Sequence, residues 1–181
     1  MKLRNRNERM LFLLLLIPFS SIEVSGEFQI TTDPSSQWYP AIYGDIVIWK
    51  DNRNGNWDIY GYNLSTREEF QITTDLSDQE SPAIYGNIVV WEDDRNGSAD
   101  IYGYNLATQE EFPIATTRNA QMYPAIYGDI VVWEDDRNGM LDIHGYNLLT
   151  GEEFQITTDP NTQRFPSIYG DIVVWDDYRN A

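Results

Sequence analysis

Short runs of Ile, Val, Tyr, Trp and Phe recur along the chain between clusters of Gly, Pro, Asn and Asp, and no stretch of ten residues keeps helical spacing. The pattern predicts strands and excludes helix pairs. Phe28, Phe70, Phe112 and Phe154 stand 42 residues apart, as do Trp49, Trp91, Trp133 and Trp175, with no insertion to break the beat. The units are 28–69, 70–111 and 112–153, followed by a partial unit at 154–181. A period near this length suits either helical solenoids or four-stranded propeller blades, and the strand pattern selects blades. The expected fold is therefore all-β: a β-propeller of four-stranded antiparallel blades, three full and a partial fourth.

In the first unit, strand one is read at Ala41-Ile42-Tyr43, strand two at Ile46 to Trp49, strand three at Asp58 to Asn63 and strand four at Glu69 to Thr73. Gly44-Asp45 and its copies Gly86-Asn87, Gly128-Asp129 and Gly170-Asp171 are two-residue links of the type that closes tight hairpins. Asn54-Gly55, Asn96-Gly97 and Asn138-Gly139 mark the next turn. Arg67, Gln109 and Gly151 share one turn position, and of the three only Gly tolerates positive φ without strain. Strand two is apolar on both sides, as a strand sandwiched between neighbouring blades should be.

The third copy, YPAIYGDIVVWEDDRNGMLDIHGYNLLTGEEFQIT, resembles the TolB-like β-propeller repeat of exported and archaeal cell-surface proteins. The resemblance spans residues 28–181. It rests on the Asp-Arg-Asn-Gly turn, the Asp-Ile-Tyr opening of strand three at Asp58 and Asp100, the Asn-Leu-x-Thr turn, and the closing Ile-Thr at Ile72-Thr73 and Ile156-Thr157. Where many such repeats carry Ser-Pro-Asp-Gly, this chain has Tyr-Gly-Asp, and there is no room for the α/β domain that precedes the propeller in TolB. The resemblance implies a blade and, commonly, a macromolecule-binding surface. It implies neither a transport role nor catalytic residues.

Charge and composition narrow the setting. The chain has 181 residues, no Cys, one His and a formal net charge of −17, which opposes nucleic-acid phosphate as a partner. Disulfides and thiolate metal sites are excluded. Residues 1–26 read as a signal peptide: Lys2, Arg4, Arg6 and Arg9 precede an apolar stretch at Met10 to Phe19, and Val24-Ser25-Gly26 offers small residues for cleavage. Residues 27–181 would then form the repeat domain, secreted or cell-surface, or periplasmic in a Gram-negative cell, with no membrane span once the signal is cut. That domain carries −19, and its only lysine is Lys50.

No catalytic constellation emerges, so a non-enzyme is expected. Asp58, Asp100 and Asp142 recur with the beat and serve each blade alike, with Arg53, Arg95 and Arg137 as their expected hairpin partners. His144 takes the place of Tyr60 and Tyr102 and reads as packing. No cofactor is expected. Calcium is the one cation the loops bring to mind, because Glu92, Asp94 and Asn96 alternate before Gly97, but Lys50 breaks the pattern in the first copy and Gly103 stands where a bidentate Glu belongs.

Function is better sought where the copies differ. The link into strand one and the turn between strands two and three should emerge on one face, which carries Trp38, Tyr39, Trp57, Met122, Tyr123, Met140, Arg164 and Phe165. Residues of these types are enriched in recognition surfaces. The expected role is a binding scaffold or cell-surface structural component whose partner is a protein or glycan. The alternatives are a carbohydrate-active propeller, either glycan hydrolase or lyase, with the non-repeated Glu80 as its test residue, and a truncated fragment of a larger surface protein. The lone strand at Glu27 to Thr31 and the two strands of the last unit leave a blade without strand three. A strained four-blade ring, two chains sharing a ring, or a truncated gene would each account for this, and open strand edges favour truncation or self-association.

Overall fold

The computed structural model describes residues 12–16 and 23–179, and all the regular structure among them is β. β1 (Phe12–Leu16) and β2 (Glu23–Phe28) form a two-stranded antiparallel ladder. The first blade holds β3 (Gln37–Tyr43), β4 (Ile46–Asp51), β5 (Asp58–Asn63) and β6 (Glu68–Gln71) in chain order. The second holds β7 (Gln79–Tyr85), β8 (Ile88–Asp93), β9 (Asp100–Asn105) and β10 (Glu110–Ala115). The third holds β11 (Gln121–Tyr127), β12 (Ile130–Asp135), β13 (Asp142–Asn147) and β14 (Glu152–Gln155). β15 (Gln163–Tyr169) and β16 (Ile172–Asp177) form a two-stranded fourth sheet. No helix of the described residues is long and apolar enough to cross a membrane.

The first strands of the blades neighbour one another around the inside of the fan, β3 beside β7, β7 beside β11 and β11 beside β15. Their last residues, Tyr43, Tyr85, Tyr127 and Tyr169, form a ladder with ring centroids 4.6, 4.6 and 4.9 Å apart. The Tyr127 hydroxyl, first among several causes, pushes the Tyr85 phenol up to about 12.

Strand one starts earlier than its apolar pattern indicated, because Gln37 and Trp38 pair with strand two ahead of a bulge at Tyr39-Pro40. At the other end of the repeat, the lone strand expected at Glu27 to Thr31 is instead β2, and it has a neighbour. Phe28 faces Phe12 as Phe70 faces Gly61, so β1 stands beside β2 where strand three stands beside strand four in a blade. An unpaired strand edge needs a partner, and residues 12–16 of the apolar run read as the core of the leader supply one. The basic start of that leader lies outside the described residues.

Strand two alternates between two interfaces. Ile48, Ile59 and Ile72 of the first blade pack with Ile84, Val89 and Trp91 of the second. Val90, Ile101 and Ile114 repeat the contact with Ile126, Val131 and Trp133 of the third. Ile30 plays the part of Ile72 ahead of the first blade, packed with Val47, Trp49 and Tyr60. Both faces of the strand are buried, which is why it reads as a continuous apolar run.

The arginine partners differ from expectation. Asp51, Asp93 and Asp135, fully buried, each accept the indole N–H of the Trp two residues before, at 3.1, 2.9 and 3.0 Å. They also hold the guanidinium of Arg53, Arg95 and Arg137. Burial alone would raise the Asp51 and Asp135 carboxyls, but these donors outweigh it and hold both below the usual range. Asp58 and Asp100 face Asp51 and Asp93 across the ladder, bind the Asn54 and Asn96 amides, and are pushed up by burial. The arginine goes to the strand-two acid because its own backbone N–H is already there.

The turn between strands three and four is left-handed in all three copies, with φ of 62° at Arg67, 61° at Gln109 and 73° at Gly151. Replacing Gln109 by Gly should therefore raise stability by about 1 kcal/mol in denaturant melts, because only glycine avoids the left-handed penalty. An unchanged midpoint would count against strain at this turn.

Candidate binding face

Each strand one is broken by a bulge just before a proline. Tyr39, Ser81, Tyr123 and Phe165 all sit at φ of 48° to 52°, and the ladder register shifts at each. This is costly backbone for a residue with a Cβ. The four residues and their prolines surround an open depression of about 290 Å³ at one end of the inner strands.

The turn between strands two and three of the first blade meets the link that enters the second. Asn56 Nδ2 donates to the carbonyls of Asp75 and Ser77 at 3.0 and 2.9 Å, and Trp57 N–H donates to Asp78 Oδ1 at 2.9 Å. The turn of one blade is thereby tied to the link that enters the next.

Carboxylates join the blades beneath this face. Glu92 Oε1 accepts the Tyr123 N–H at 2.7 Å, and Glu134 Oε1 accepts the Phe165 N–H at 2.6 Å. Burial pushes the Glu92 carboxyl up. Glu134 also takes Arg164 Nε at 3.2 Å. At the first junction the equivalent residue is Lys50, and the polarity reverses: its ammonium lies 2.9 Å from Glu80. Glu80, singled out above as a possible catalytic acid, is thus engaged in a blade junction.

The candidate residues fall into two groups. Trp38 faces Lys50 across the ladder, and Lys50 Nζ lies 4.4 Å from the Trp57 ring and 5.0 Å from the Tyr39 ring. Tyr123 meets Phe165 edge-on at 5.1 Å, and the Arg164 guanidinium sits 4.6 Å from Phe165. Trp38, Tyr39 and Phe165 are 46%, 56% and 45% exposed. Met122 pairs across the strand with Glu134, while Met140 is exposed with its sulfur near the Thr162 hydroxyl. Among the described residues no group of three or more His, Cys, Asp or Glu side chains is placed to hold a metal ion. In the loop compared with calcium sites, Glu92 is committed to Tyr123 and Asn96 to Asp100.

His144 stacks near Trp133, with centroids 6.3 Å apart, and is buried. Desolvation lowers its pKa from 6.5. The unfolded chain therefore binds the proton more readily, and stability is complete above pH 6.5 and falls as pH drops toward the folded-state value. Substituting His144→Tyr should flatten the slope of stability against pH below 6.5. A slope that survives the change would assign the proton uptake to another group.

Two repeated polar positions have roles at the blade junctions that the sequence reading missed, although the beat contains them and Lys50 and Glu92 were compared above with calcium-loop ligands. Lys50, Glu92, Glu134 and Asp176 share one position after the core Trp, and Gln37, Gln79, Gln121 and Gln163 share another at the start of strand one. All four glutamines are buried. Polar residues that recur read as surface when only apolar positions are followed.

No family model matches the chain, and no curated protein sequence does. Its fold is similar to that of solved propellers. TolB from Acinetobacter baumannii superposes with a TM-score of 0.69 at 17% identity, over 83% of this chain and 40% of that one. A putative TolB from Agrobacterium tumefaciens gives 0.66 at 19%, over 75% and 51%. A chain of a nidogen/laminin complex gives 0.60 at 12%, over 91% and 81%. Enzymes, among them an oligogalacturonate lyase solved with manganese, also share the fold. The chain spans about half or less of the length of the TolB structures.

Proposed function

We propose that this chain is an exported, non-catalytic binding scaffold, and that a protein partner at the cell surface seats on the mouth ringed by Tyr39, Ser81, Tyr123 and Phe165. One observation carries the reading. Four strained bulges hold a fixed backbone while the side chains they present vary, and three of the four are large aromatics at the rim of one open depression. Strain retained where it turns apolar groups toward solvent is consistent with recognition. The flanking Trp38, Met140 and Arg164 add the residue types that protein interfaces favour. The nidogen/laminin chain belongs to an assembly of proteins, which is in keeping with this use of the fold.

The test is retention of labelled protein on isolated cell envelopes of the producing organism. The double substitution of Trp38 and Trp57 by Ala should lower retention at least about thirtyfold, the equivalent of one lost hot-spot residue, with the melting transition preserved. Full retention by the folded variant would sink the proposal. Retention abolished by protease treatment of the envelopes supports a protein partner; retention abolished only by glycosidases transfers the site to glycans. Release of reducing ends from added polysaccharide, lost on substitution of Glu80→Gln, would move the chain to the enzymes.

A further inference from the structure

The two ends of the fan carry opposite halves of a contact that the protein already makes between its own blades. On the outgoing side of each blade, the middle of strand two meets strand one of the next: Ile48 packs in one cluster with Ile84, and Val90 in one cluster with Ile126. The acid two residues further on then accepts the N–H at the next bulge, as Glu92 does for Tyr123 and Glu134 for Phe165.

The outgoing half on the fourth sheet is bare. Val174, the counterpart of Ile48 and Val90, is 57% exposed, where both of those are fully buried, and Ile172 beside it is 66% exposed. Asp176 holds the position of Glu92 and Glu134 with no hydrogen-bond partner among the described residues. The incoming half on the first blade is bare as well. Ile42 is 60% exposed, against 8% for its counterparts Ile84 and Ile126, and no carboxylate of a described residue accepts the Tyr39 N–H. The rest of that incoming face, Val47 and Trp49, is already covered, and Ile30 supplies there the share that strand four gives elsewhere. What the first blade lacks is the contribution of strands one and two, which is what β15 and β16 offer.

We infer that copies of this chain join head to tail, the fourth sheet of one against the first blade of the next, with Val174 and Ile172 covering Ile42 and Asp176 accepting the Tyr39 N–H. The second internal junction, which carries no ion pair, is the precedent for this register. Lys50 with Glu80 and Glu134 with Arg164 make the first and third junctions ion-paired, whereas at the second Glu92 stands opposite a position held by Met122. The junction between copies repeats the second type, an acid opposite Trp38. A single contact of this heterologous kind closes a ring when its rotation permits and otherwise propagates.

Sedimentation of the wild-type chain at micromolar concentration should show twice the monomer mass or more. Ile42→Arg blocks the head and Val174→Arg blocks the tail, and both positions are exposed, so each variant should keep the wild-type melting transition and sediment as a monomer. Mixed in equal amounts, the two variants have one intact head and one intact tail between them and should form a dimer that grows no further. A monomeric wild-type chain, or variants that associate alone as fully as the wild type, would overturn the inference. So would blocked variants that stay monomeric when mixed while the wild type associates, since the contact would then not be head to tail.

Discussion

Replacing Trp133 by alanine should cost about 3–5 kcal/mol, the range for removing a fully buried aromatic from a core that relaxes only in part. The ring has no exposed surface, lies in the cluster that joins the second and third blades, and packs there with Val90, Ile101 and Ile126. The lost area is only part of the effect, because the truncation also strands the Asp135 carboxylate without its indole donor. Trp175 provides the control. It occupies the same place in the repeat but is only half-buried, so alanine there should cost about 1–2 kcal/mol, near the low end for partly buried apolar groups. Urea midpoints of the two variants decide the matter. Equal losses at Trp133 and Trp175 would contradict a core lodged between blades.

Asp135→Ala should be comparably severe, at about 3–5 kcal/mol, because it leaves the Trp133 indole, the Arg137 backbone N–H and one side of a guanidinium otherwise held by Glu153 without their acceptor. The carboxylate takes the Trp133 indole at 3.0 Å, the Arg137 backbone N–H at 3.0 Å and Arg137 Nε at 2.8 Å. Asp135→Asn keeps the shape and one oxygen, so a smaller loss is expected. The pH dependence has a definite sign. Since the folded-state pKa lies below 3.8, the contribution of this group is complete above that value and disappears as pH falls through the folded-state value. A variant that melts as the wild type does at neutral pH would show that the existing pair of Arg137 with Glu153, at 2.5 Å, is enough to hold the arginine.

Much of the fold was legible because the beat is unbroken. Strand three at Asp58–Asn63 is legible to the residue, and Gly151 marks the left-handed turn that Arg67 and Gln109 adopt against their steric preference. Strand one was harder. Pro40 argues against a strand locally, and only pairing with Lys50 and Asp51 across the bulge extends it back to Gln37. The arginine network differs from the expectation for a similar reason: Asp51 and Asp58 flank the same turn as Arg53 and face each other across the ladder, and the choice is made by which carboxylate the indole and the backbone N–H already hold.

Period, strand type, turn chemistry and the apolar character of strand two are local properties, and residue identity and spacing alone determine them. The junctions are not local. That Glu92 reaches the bulge of the next blade, that Lys50 reverses the polarity at one junction, and that Ile42 and Val174 are left bare at opposite ends depend on groups far apart in the chain being brought within bonding distance. Spacing along a polypeptide specifies which face a side chain occupies, but only the packing of one blade on another determines what that face meets.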